Sequence, residues 1–244
     1  MQDNQQAYDR GMTIFSPDGR LYQVEYAREA IKRGTASVGG RTDAGVVLAA
    51  DRRARSPLIE ESSIEKLHRV DDHVAVASAG HVADARQLVE FARRKAQENR
   101  LRYDEPIDVE TLAKEVTDYI QRYTQSGGVR PFGVALAIAG FDPDGTPRLF
   151  ETDPSGTPCE WRATAIGGDR ETLHAHLEDG YRADADLGGA IALALETLAE
   201  SGEPLDADNV EVTTVDVESG RVRSLDPETI EPHLADLDIE VDDE

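Results

Sequence analysis

The alternation of β-like and helical stretches constrains the fold more than any other feature of this chain. Residues 35–40 and 45–50 are β-like runs joined by Arg41-Thr42-Asp43-Ala44, and residues 64–70 and 73–79 are joined by Asp71-Asp72, so both pairs predict hairpins. Two helical stretches follow directly. Residues 82–102 carry Leu88, Phe91 and Ala92 on one stripe, and residues 108–123 repeat the pattern through Leu112, Val116, Tyr119 and Ile120. Residues 132–141, 148–152 and 160–166 are again strand-like, separated by Asp-Pro-Asp-Gly and Asp-Pro-Ser-Gly turns, and predict the start of a second sheet. Helices over 169–181 and 187–200, strands over 210–217 and 222–225, and an acidic helix over 227–237 complete the order. A further helix over 21–32, with Leu21, Val24, Ala27 and Ile31 at helical spacing, stands ahead of all the strands and stops at Gly34.

Blocks of strands beside blocks of paired helices argue against βαβ units. They predict an α+β fold of two antiparallel sheets packed face to face with helices outside. No Gly/Ser- or Pro-rich linker divides the 244 residues, which predicts one domain over 34–225 with a leading extension (1–33) and an acidic C-terminal helix and tail (226–244). Six carboxylates crowd residues 236–244, a solvating composition.

Charge excludes whole classes of partner. With 49 acidic against 26 basic residues the net charge is −23, so nucleic acid and anionic membranes repel this surface. Only four of the basic residues are lysines: Lys32, Lys66, Lys95 and Lys114. An acid excess spread along the chain suits a protein that stays dissolved under strong ionic screening, pointing to a salt-loving source. A single cysteine, Cys159, excludes an intrachain disulfide and reads as a small packing residue. His174 and His176, two apart on a helix, diverge and suit a surface better than a metal site. Gly39-Gly40 and Gly167-Gly168 lack phosphate-loop spacing. No cofactor or metal is implied. Residues 1–11 are polar, and no run approaches the length of a membrane span, which predicts a cytoplasmic protein.

Tyr8-Asp9-Arg10, followed by Thr13-Ile14-Phe15-Ser16-Pro17-Asp18-Gly19-Arg20-Leu21-Tyr22-Gln23-Val24-Glu25-Tyr26-Ala27, closely resembles the N-terminal signature of α-type proteasome subunits. Gly34-Thr35, Asp51-Arg52-Arg53, Ser63-Ile64-Glu65-Lys66, Ala83-Asp84-Ala85-Arg86 and Gly127-Gly128-Val129-Arg130-Pro131-Phe132-Gly133 extend the likeness over about residues 1–225. The resemblance implies the four-layer αββα sandwich of the N-terminal-nucleophile hydrolases and a structural and gating role. Such subunits form seven-membered outer rings with neighbouring α subunits, template rings of catalytic β subunits and control entry to the proteolytic chamber. Proteasome-activating AAA ATPases dock on them through their C-terminal tails.

Several residues match family positions. Tyr8, Asp9, Arg10, Pro17 and Tyr26 match the gate cluster, with residues 1–7 as its mobile part and Asp9 and Arg10 suited to an intersubunit ion pair. Lys66 matches the lysine that meets an activator's C-terminal carboxylate, close to Gly80. His81 stands where the family often has an apolar residue, which would make docking more polar or pH-sensitive. Gly34-Thr35 occupies the place where related β subunits expose a threonine by self-cleavage. The alternative is therefore a threonine-type hydrolase precursor cut at that bond. Without cleavage Thr35 has no free amine and is an ordinary strand threonine. Arg130-Pro131-Phe132-Gly133 suggests a structural role in placing the second sheet.

Overall fold

The computed structural model describes residues 19, 21–54, 56, 58–125, 129–202, 204–235 and 237. Tyr8, Asp9, Arg10 and Pro17 lie outside them. Helix α1 (Tyr22–Lys32) leads into β1 (Ser37–Thr42), β2 (Gly45–Asp51), β3 (Leu67–Asp71) and β4 (Val74–Gly80). Helices α2 (Val82–Tyr103) and α3 (Val109–Gln125) follow, then β5 (Val134–Phe141), β6 (Pro147–Thr152), β7 (Pro158–Glu160) and β8 (Ala163–Ile166). The chain continues with α4 (Arg170–Gly180), α5 (Leu187–Ala199), β9 (Val210–Asp216), β10 (Val222–Ser224) and α6 (Pro227–Ala235).

The strands form two five-stranded antiparallel sheets, β10-β9-β2-β1-β8 and β3-β4-β5-β6-β7. Their strands explain the layers. On β5, Val134, Leu136 and Ile138 point to a core shared with α2 and α3, while Ala135, Ala137 and Ala139 face the other sheet. On β2, Val46 and Leu48 face that intersheet layer, and Val47 and Ala49 meet the core formed with α4 and α5. Both faces of the central strands are buried, so these strands read as continuous apolar runs. Between the sheets the alanines of β4 and β5 interleave with larger side chains such as Leu48, Leu149 and Ile166. Each large side chain buried beneath the helices, such as Leu136 or Leu112, contributes about 1.5–3 kcal/mol by leaving water. Ile230 of α6, 1% exposed, joins the α4–α5 core. Among the described residues no helix is long and apolar enough to cross a membrane.

Two expectations about the sheets change. The second sheet begins at β3, not near residue 132, because the long connection after β2 carries the β3–β4 hairpin across to pair with β5. The strand expected over 160–166 is two strands. β7 pairs with β6 in one sheet and β8 with β1 in the other, and the chain changes sheets at Trp161-Arg162. His174 is partly buried: its Nε2 lies 3.2 Å from both the amide nitrogen and the carbonyl oxygen of Ala165, and its ring meets Trp161 edge-on. Cys159 is exposed on β7, where its side chain packs into no core.

Candidate functional site

The place where α1 feeds into β1 gathers most of the singled-out residues. Val24, Ala27 and Ile31 bury one face of α1, which packs against β4 and β5. Tyr26 lies off that face and is 50% exposed, so it belongs to the surface of the helix. Helix α1 ends at Lys32, and just beyond it Gly34 donates its N–H to Ile31 O and accepts the N–H of Gly168 on its carbonyl at 2.9 Å. A β-carbon on Gly34 would sit 2.7 Å from the Gly80 nitrogen, so two backbones touch where any side chain would part them. Gly80 has φ +118°, and a β-carbon there would run into the Gly133 oxygen. Three chain segments thus meet through glycine: the α1–β1 joint, the β4–α2 joint and the entry to β5.

Lys66 immediately precedes β3 in the same corner. Its backbone N–H donates to Glu211 Oε2 of β9 at 2.9 Å, and its carbonyl accepts from Ser78 of β4. Its Nζ turns inward. It lies 2.6 Å from Thr35 O, 2.8 Å from Thr35 Oγ1, 2.9 Å from Ala36 O and 3.0 Å from Asp51 O. An ammonium has three N–H groups, so three donors serve four oxygens. Burial pushes this amine down to about 7, against the Asp51 and Glu211 carboxylates that favour its charge; Arg53 adds to the lowering. The Thr35 hydroxyl donates to Asp51 O at 2.7 Å. The Asp51 carboxylate is held by Arg53. Lys66 therefore ties the start of β1 to the end of β2 from the opposite sheet.

His81, at the mouth of the corner, precedes α2 with its side chain 58% exposed and Nδ1 3.7 Å from Asp84 Oδ1. Asp84 is buried. Burial alone would raise its carboxyl, but the Arg130 guanidinium and the Gly133 N–H hold it below the usual carboxylate range. Sequence reasoning missed this pair, although both residues lie in segments it singled out. A groove of about 470 Å³ beside α1 is lined by Arg28, Lys32, Trp161 and Arg170 among others, and by none of Lys66, Gly80 or His81. Among the described residues no three His, Cys, Asp or Glu side chains are placed to hold a metal.

Comparisons with known proteins cover both the corner and the segment ahead of it. A family profile described as "Proteasome subunit" matches residues 31–215, and the profile of the N-terminal signature of A-type proteasome subunits matches residues 8–30. "Proteasome subunit alpha 2" of Haloarcula marismortui is 65% identical over 98% of both chains. "Proteasome subunit alpha 1" of Haloferax volcanii is 63% identical over 98% of this chain and 94% of its own. "Proteasome subunit alpha" of Haloquadratum walsbyi is 62% identical over 98% and 96%. With both profiles matched in succession and such identity along nearly the whole length, the chain belongs to the proteasome subunit family, in its α branch.

Proposed function

We propose that this α subunit is non-catalytic. It joins neighbouring copies in a seven-membered outer ring, stacks on proteolytic β subunits, gates entry through its N-terminal segment and docks the C-terminal tails of AAA ATPases at the Lys66–Gly80–His81 corner. The same reading puts the particle in the cytoplasm. The observation that carries it is the α-type signature over residues 8–30, which takes in most of α1 and ends just ahead of Gly34-Thr35; the reading is that this bond stays uncut. A threonine whose nitrogen is an amide has no free amine to serve as its own base. Lys66 bonds Thr35 and Gly80 packs on Gly34, with His81 next in the chain, so on this reading a ligand bound there would act beside the α1–β1 joint.

A second reading has its own observation. An amine pushed down to about 7 lies 2.8 Å from the Thr35 hydroxyl, an arrangement that suits a base and a nucleophile. Against it, the hydroxyl hydrogen is committed to Asp51 O, and Nζ faces three other oxygens. Intact mass of the chain purified from assembled particles separates the two. Retention of residues 1–34 is expected, whereas a species beginning at Thr35 establishes the precursor.

A further inference from the structure

The docking reading leaves without a task an ion pair between buried Asp84 and Arg130, whose side chain is 58% exposed. Asp84, in the first turn of α2, is 5% exposed and receives Arg130 Nη1 on Oδ2 at 2.6 Å and Arg130 Nη2 on Oδ1 at 2.8 Å. Its Oδ2 also accepts the Gly133 N–H at 2.8 Å. The Gly133 carbonyl in turn accepts the His81 N–H at 2.8 Å. The Asp84 N–H donates to His81 O at 3.0 Å. A β-carbon on Gly133 would reach ordinary contact distance of Ala30 of α1, 3.6 Å, and one on Gly34 would press on the Gly80 backbone. One carboxylate thus fixes both strands of a two-way exchange between residues 81–84 and 133, and that exchange sets the backbone on which α1 ends.

A fork-to-carboxylate pair holds orientation as well as charge, because two parallel N–H donors fix both planes. Asp84 has further donors, but none replaces Arg130. Its protein partners are Arg130, the Gly133 amide and the more distant His81 ring. Removing the guanidinium leaves a buried carboxylate held mainly by one amide. Its relief is to draw water in between α2 and residue 133, and the backbone at Gly80-His81 shifts with it.

We propose that Asp84 and Arg130 are positioning residues of the docking corner: through Gly133 they fix the Gly80-His81 turn, and through Gly80 they fix Gly34 and the base of α1. This rests on the docking reading for its consequence, though not for its geometry. The pair touches no ligand itself. It acts by holding the Gly80-His81 turn, which packs on Gly34 next to the Thr35 that Lys66 bonds, so its loss alters docking through placement.

The test uses core particles assembled with Arg130→Ala, Arg130→Lys, Asp84→Asn or Lys66→Ala. Amide hydrogen exchange is followed at residues 79–84, 133 and 168, with the buried β2 and β9 amides as internal control. Binding is measured with a synthetic peptide ending in the free carboxylate of an activator ATPase and with its C-terminal amide. Arg130→Ala is expected to speed exchange at His81, Gly133 and Gly168 by about tenfold or more, to leave β2 and β9 unchanged and to weaken the free-carboxylate peptide about tenfold. Arg130→Lys should recover part of both effects, because it keeps the charge and loses the fork. Unchanged protection at His81 and Gly168 in Arg130→Ala overturns the proposal, as does a uniform rise that includes β2 and β9. Equal peptide affinity in wild-type and Lys66→Ala particles overturns the docking reading instead, and the exchange result then judges the positioning role alone.

Discussion

Lys66 Nζ lies 2.8 Å from Thr35 Oγ1, joining the lysine that precedes one sheet to the threonine that precedes the first strand of the other. The contact brings the two readings of this chain to a single atom pair. A lysine presented to a partner and a lysine that supports a nucleophile both start from this amine. Here its donors are spent on four oxygens of its own chain. On the docking proposal, an incoming carboxylate would have to compete with those oxygens, and its arrival would loosen the start of β1.

Replacing Lys66 by alanine is expected to reduce ATPase-stimulated proteolysis while rings still assemble. Stimulated and unstimulated degradation by reconstituted particles checks this, with native electrophoresis for assembly. Stimulation equal to wild type would remove Lys66 from the docking site.

The same amine predicts a pH dependence of stability. Its folded value of about 7 lies below the ordinary lysine value of 10.5, so between these limits the unfolded chain holds more protons and stability rises with pH. Lys66→Met lacks this contribution. The stability deficit of Lys66→Met, about 1–3 kcal/mol for carbonyls left without a donor, should therefore widen from about pH 7 to about pH 10. Chemical unfolding across that range measures it, and a deficit that narrows with rising pH contradicts the buried, lowered amine.

Gly80→Ala tests the backbone contacts. Its β-carbon would run into Gly133 O on a residue with φ +118°, so a loss of about 2 kcal/mol or more is expected. Gly145→Ala gives the comparison, since it too has positive φ but open space around it. Equal losses in the two variants would show that the approach at Gly80 is not a constraint.

Tyr26→Ala should behave differently from a core substitution. With the ring half-exposed, fold stability is expected to change by about 0.5 kcal/mol or less. Stimulated peptide entry should fall if the ring meets a neighbouring subunit. Thermal unfolding of the chain and peptide hydrolysis by the particle separate the two effects, and a large loss of stability would return Tyr26 to a packing role.

How much of this is legible in the sequence differs by level. Element order carries the layered fold, because strands buried on both faces and amphipathic helices leave strong local patterns. Sheet membership leaves none. The β3–β4 hairpin is a local event, but its sheet is decided by pairing of Val74 with Gly140, residues far apart in sequence. The break at Trp161-Arg162 hides inside one β-rich run for the same reason. At the site, resemblance points to Lys66, whereas its inward turn depends on Thr35, Ala36 and Asp51, brought together only by folding. The Asp84–Arg130 pair spans 46 positions and has no spacing signal. Cys159, read as a packing residue, is exposed on β7, and His174, read as a surface residue, is partly buried against Ala165 and Trp161.

The most direct test of a gating α subunit is the rate at which assembled particles, without activator, hydrolyse a small fluorogenic peptide before and after deletion of residues 1–11. A several-fold rise on deletion, with the isolated chain inert, is the predicted result. An unchanged rate, or hydrolysis by the isolated chain that disappears in Thr35→Ala, would contradict the account.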